Sequence, residues 1–193
     1  MNSKRENVRD ALIESLKKLM IKHNFDKITI KMITDEAGLI RPTFYNHFTD
    51  KYDVLEQICY NDIFKGSEML ISNKMPYEAI YYMFSKIENN KDFYIKAIKV
   101  TGQNSFEEIM NNNLIKIFKE LLNQYGGNKK NYEEYFYVDD VAEYYSRGLT
   151  FIIKRWIEDG MIISAKTLSK KYEILVTNSL DNIIQNKINY TSE

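Results

Sequence analysis

The run Arg41-Pro42-Thr43-Phe44-Tyr45-Asn46-His47-Phe48 gathers directional hydrogen-bonding groups around two aromatic anchors. Arg and Asn are the side chains that pair bidentately with guanine and adenine edges, which marks Arg41 and Asn46 as candidate base readers. Thr43, Tyr45 and His47 offer hydroxyls and a ring N–H suited to phosphate oxygens, contacts that fix register without reading sequence. Lys51 adds a cation just beyond, and Ile40 just before can meet a thymine methyl. This is the chemistry of recognition, with no bond to break. It requires Phe44 and Phe48, one helical turn apart, to face inward while the polar groups face out.

The elements that would position these groups are short helices. Thr29 offers an N-cap hydroxyl to a helix carrying Ile30, Ile33 and Ala37, and Gly38 follows where a tight turn needs positive φ. The next helix runs from about Arg41 to Phe48, with Pro42 in its first turn, where a missing N–H costs nothing. Two short helices joined through a glycine have the geometry of a helix-turn-helix, whose second helix enters the major groove. An amphipathic first helix with Val8, Leu12, Leu16, Leu19 and Met20 on one face supplies the surface beneath, and Asn24 can end it in the left-handed conformation. Asp50 caps a fourth helix starting near Lys51.

Composition fits this arrangement and excludes others. The 193 residues include only 7 Gly and 2 Pro, against roughly 12% of the two together in average usage, so turn-dense β folds and glycine-rich nucleotide loops are poorly served. Charges balance overall at 27 of each sign, but residues 1–51 carry a net +3 and the remainder a net −3, placing the positive end where an anionic partner would sit. The longest apolar run, Ala79 to Phe84, falls far short of the ~20 residues that span a bilayer. The lone Cys59 allows no internal disulfide and no signal peptide opens the chain, so a cytoplasmic protein without membrane attachment is expected. Catalysis finds no footing. His23 and His47 stand outside any metal or nucleophile motif, and the neighbouring carboxylates Glu107-Glu108 and Asp139-Asp140 point about 100° apart on a helix. No cofactor and no metal are expected, and the chain does not read as an enzyme.

The body reads as longer helices: one from Pro76, one over Asp92 to Val100, one capped by Ser105 through Leu122, one from Asp139 or Asp140 to Glu158, and a last from Thr167 through Ile184. Gly126-Gly127 with the polar residues after it is the clearest loop, residues 189–193 look frayed, and Tyr135 to Val138 is ambiguous. The expectation is an all-α chain of about nine helices: a helix-turn-helix head over residues 1–50 and a helical body over 51–193.

The stretch Thr29, Asp35-Glu36-Ala37-Gly38, Arg41 to Phe48 and Asp50-Lys51 resembles the TetR/AcrR family of bacterial transcriptional regulators, with the T-x-Y-x-H-F run and the following D-K at the family's spacing. The resemblance implies that Thr29, Ile40, Arg41, Pro42, Thr43, Tyr45, Asn46, His47 and Lys51 form the DNA-binding set, with Thr, Tyr, His and Lys mainly on the backbone. It implies a homodimer on double-stranded DNA at a near-palindromic operator, with the last two body helices pairing across a two-fold axis. Repression relieved by a small molecule is the family default. The Phe-Asp-Lys-Ile stretch at 25–28 and Lys-Tyr-Asp-Val-Leu at 51–55 resemble the DhaS-like branch, which implies activation controlled by a partner protein instead. Ile40 replaces a frequent Ser cap. That substitution and the modest charge of the head leave open a helical adaptor that no longer reads DNA.

Within the body, Tyr82, Phe93, Phe118, Tyr144, Arg147 and Phe151 are candidates for an effector pocket. Arg147, mid-helix, needs either an anionic ligand or Glu143 one turn earlier. Ile152, Trp156, Leu175, Val176 and Ile183 lie on the apolar faces expected to bury a dimer contact.

Overall fold

The computed structural model describes residues 2–102, 104–125 and 137–185. Among them every regular element is helical: α1 (Asn2–Lys22), α2 (Ile30–Glu36), α3 (Arg41–Tyr45), α4 (Lys51–Cys59), α5 (Lys65–Ser72), α6 (Pro76–Asn89), α7 (Lys91–Ala97), α8 (Phe106–Tyr125), α9 (Val138–Glu158), α10 (Ala165–Thr177) and α11 (Leu180–Ile184). A π-helical turn, Tyr60–Phe64, joins α4 and α5 into one rod, so the described residues form ten helices where nine are expected. The expected Gly126-Gly127 loop and the 189–193 tail lie outside the described residues. No described helix is long and apolar enough to cross a membrane.

The additional helix comes from the C-terminal segment. Asn178 is extended (φ −119°, ψ 141°), and Ser179 accepts a hydrogen bond from the Asn182 N–H, capping a new helix rather than continuing the old one. The preceding helix also starts earlier than expected. It begins at Ala165 rather than Thr167, with Ser164 as its cap accepting from the Thr167 N–H at 3.2 Å.

Apolar spacing accounts for the packing. Leu12, Leu16 and Met20 on α1, Ile33 on α2 and Phe44 on α3 are fully buried, and Phe48 nearly so. Helix α1 packs against α2 and α4, and α2 against α3. In the body α8 lies along α9, α6 along α10, and α5 beside α6. Lys17 on α1 pairs with Asp62 in the π-turn at 2.9 Å, and the buried Tyr94 of α7 donates its OH to the same carboxylate at 3.4 Å. This cluster ties the N-terminal helices to the body through partly buried charges, where a lone partner would be costly.

Candidate nucleic-acid interface

The α2–α3 turn follows from its sequence. Thr29 Oγ1 accepts from the Met32 N–H at 3.2 Å, capping α2. Thr34 turns its hydroxyl back onto the Ile30 and Lys31 carbonyls, and its own carbonyl receives the Leu39 N–H at 2.8 Å. Gly38 sits at φ +67°, a conformation that glycine adopts without penalty. The chain then enters α3 through Ile40, which is 69% exposed, provides no side-chain cap and accepts the Thr43 N–H through its carbonyl at 2.9 Å.

Helix α3 separates its two faces as the alternation of residue types demands. Phe44 is buried, with its ring 5.9 Å from Phe48. Arg41, Pro42, Tyr45 and Asn46 are exposed, while Thr43 and His47 are half-buried at the margin. Arg41 donates from Nη2 to the Tyr45 OH at 3.1 Å and lies over that ring, so these two candidate contacts form one preorganised unit. Ile40 to Thr43 and Tyr45 to His47 thus lie outside the buried Phe44–Phe48 base.

Lys51 is placed differently from the expectation. Its ammonium donates to the carbonyls of Phe25 at 2.8 Å, Ile28 at 3.0 Å and Asp26 at 3.3 Å, and sits 4.6 Å from the Phe25 ring centre. An ammonium has three N–H donors, and all three are engaged within the fold. Burial lowers its pKa, with the Asp26 and Asp50 charges opposing that shift. Asn24 departs from expectation too. It is extended (φ −67°, ψ 137°) rather than left-handed, because the chain turns through the 3₁₀ segment Phe25–Lys27 to bury Phe25 beneath Lys51. Asp50 caps α4 through the Tyr52 and Asp53 N–H groups, and Asp53 returns the bond to the Thr49 N–H.

Arg5 and Arg9 of α1, which by sequence either follow the DNA backbone or form a solvated face, bear on this surface. Arg9 lies over the Phe48 ring and hydrogen-bonds Gln57 of α4, while its Nε is buried without a partner. Its spacing from Leu12 and Leu16 puts it on the inward stripe of α1, the signal for that placement. Burial and then the charges of Arg5 and Arg9 lower the pKa of His47. Positive charge thus extends from α1 to the margin of α3.

In the body the expected pocket residues do not converge. Only Phe118 borders the apolar cavity, of about 350 Å³, that opens between α6, α8, α9 and α10. Tyr82 lies across Gly66, in contact with the space a Cβ would need there. Phe93 is core, edge-on to Tyr94. Arg147 takes the internal alternative, a two-nitrogen pair with Glu143 on the α9 surface. Tyr144 (75% exposed) and Phe151 (60% exposed) point outward. Trp156, expected at an interface, is 5% exposed, packs edge-on against Phe84 and donates its indole N–H to the Ile163 carbonyl at 2.8 Å. Ile152, Val176 and Ile183 are half-buried, and Leu175 is exposed.

Residues 74–178, more than half of the chain, match a family model described as the C-terminal region of TetR-type transcriptional regulators, and residues 12–58 match that of the bacterial regulatory proteins of the tetR family. The chain belongs to the TetR family of transcriptional regulators. No curated protein matches it in sequence. Among solved structures, it is similar to the fatty acid degradation regulator FadR from Bacillus halodurans (17% identity, 90% of this chain and 96% of that one, TM-score 0.62). It is also similar to NalD of Pseudomonas aeruginosa, the secondary repressor of the MexAB-OprM multidrug efflux pump (17%, 86% and 92%, 0.59). A third likeness is to DhaS, the dihydroxyacetone kinase operon activator (18%, 94% and 96%, 0.56). At these identities what is shared is the TetR fold, a helix-turn-helix followed by a helical body.

Proposed function

We propose that this TetR-family chain is a homodimeric, sequence-specific DNA-binding regulator, with a reading head over residues 1–50 and a regulatory body over 51–193. The supporting observation is the outward face of α3: Arg41, Tyr45 and Asn46 exposed on a buried Phe44–Phe48 base. In this reading Arg41 and Asn46 contact base edges, Ile40 meets a methyl, and Thr43, Tyr45 and His47 hold phosphates with Thr29 and Pro42 beside them. Lys51 serves the interface by holding the Phe25 turn rather than by touching DNA.

One head offers few base contacts, so two copies on a near-palindromic operator supply the site length that specificity needs. The exposed side of α9 (Tyr144, Phe151, half-buried Ile152) and Leu175, Leu180 and Ile184 beyond it form the apolar surface assigned to that pairing. Trp156 takes no part, being core. The protein acts in the cytoplasm, where the chromosome lies, as a repressor released by a small molecule. Activation through a partner protein has the likeness to DhaS in its favour. A titration of the purified chain against duplex from upstream of its own reading frame tests the DNA claim. Tight, salt-sensitive binding that a scrambled duplex lacks supports it, and equal binding of both overturns it. A reporter on the bound promoter gives the sign: deleting the regulator raises transcription under repression and lowers it under activation.

A further inference from the structure

The apolar cavity between α6, α8, α9 and α10 has a specific chemistry. Its volume of about 350 Å³ lies in the range of small-molecule sites. Tyr77, Ile80, Phe118, Leu121, Tyr145 and Val176 give it apolar and aromatic walls. Two further lining residues decide what can enter. Tyr172 is 5% exposed, and its hydroxyl is buried with no hydrogen-bond partner. Buried hydroxyls are ordinarily partnered, so one without a partner on the wall of an open cavity marks the place for an acceptor. Burial raises the Tyr172 pKa, so the group is a phenol and has a proton to donate. Glu173 is the one charged residue of the lining among the described residues, and it is paired with Lys170 at 3.5 Å. Among the described residues, no Lys, Arg or His borders the cavity. A carboxylate ligand would therefore meet no counter-charge among the described lining residues and would lie beside the Glu173 carboxylate.

We propose that this cavity binds an uncharged, largely apolar small molecule through one accepting oxygen seated on the Tyr172 hydroxyl. The inference rests on the reading of the body as the regulatory part and gives that part a ligand class. It also places the ligand where it can act. Tyr145 belongs to α9, and Tyr172 and Val176 to α10, the helices whose outer sides carry the proposed dimer surface. Filling the cavity presses on both from within.

Three flat probes of nearly equal size test this by calorimetric titration of the full chain without DNA: acetonaphthone, with one carbonyl; ethylnaphthalene, with none; and naphthoate, an anion. The expected order is acetonaphthone tighter than ethylnaphthalene by roughly 3- to 10-fold, the ratio one hydrogen bond supplies, with naphthoate weakest. Tyr172→Phe keeps the ring and should erase the ketone's advantage while leaving the hydrocarbon's affinity unchanged. Leu121→Trp fills the space and should abolish binding of all three, with unchanged helical circular dichroism showing that the fold persists. Naphthoate binding as tightly as the ketone, a ketone advantage that survives Tyr172→Phe, or no binding of any probe up to its solubility overturns the inference. The operator is titrated separately. Probes that bind in the expected order yet leave operator affinity unchanged uphold the site and reject release by a ligand.

Discussion

His47 stands where burial and the charges of Arg5 and Arg9 both disfavour its protonated form. Its folded pKa lies below the ordinary 6.5, so below that pH the unfolded chain takes up the proton first. The histidine's contribution to stability is therefore complete above about pH 6.5 and declines as pH falls toward the lowered value. A duplex phosphate reverses the sign, because it favours the cation and binding takes up a proton. Operator affinity should rise as pH falls from about 7 to 6, by at most about tenfold per pH unit for one proton, and His47→Gln should remove that part of the slope. Anisotropy titrations across this range check it, and an identical slope in the variant removes His47 from the phosphate contact. At this scale the sequence is legible where a side chain's neighbours are close along the chain. The inward Phe44 and Phe48 and the outward Arg41, Tyr45 and Asn46 follow from spacing alone. The contacts of Arg9 and Lys51 do not, because their partners Gln57, Phe25 and Ile28 lie 23 to 48 residues away.

Caps decide the elements, and most are readable: Thr29, Asp50, Ser105 and Gly38 all do what their residue types suggest. Asn24 and the Asn178–Ser179 break are not readable, since a side chain's local options do not say which the surrounding core selects. The π-turn at Tyr60–Phe64 is equally silent, its apolar spacing continuing that of the helices on either side. Lys51 belongs to this scale because it fastens the Phe25–Lys27 turn to the start of α4. Lys51→Met should leave these carbonyls without a charged donor and lower stability by about 1–2 kcal/mol. That corresponds to a fall of a few degrees in Tm for a chain of this size. Operator affinity should drop through the disturbed turn while the salt slope stays unchanged. A direct phosphate contact would instead lower the slope by about one unit, which a titration at several salt concentrations distinguishes.

For the whole molecule, apolar periodicity locates helices but does not always say which side meets the core. Helix α9 is apolar on much of its circumference, and only the structure shows Trp156 turned inward and Tyr144 and Phe151 turned out. Convergence of pocket walls from four helices is also invisible along the chain, which is why Phe118 alone of the expected residues borders the cavity. If the outer face of α9 pairs two copies, Phe151→Lys sets two ammonium groups into an apolar contact. Light scattering should then show the mass of one chain at concentrations where the parent shows two, with helical content preserved. Trp156→Ala should instead lower stability by about 3–5 kcal/mol, the usual loss for a buried aromatic. The central claim is that α3 reads bases, and it is tested most directly by selecting duplexes from a randomised pool with the parent chain and with Arg41→Ala. The account predicts that the parent enriches a near-palindrome and that the variant loses preference at one base pair in each half, at a cost of about 1–3 kcal/mol. Uniform weakening with an unchanged sequence preference, or no enriched sequence from the parent, contradicts it.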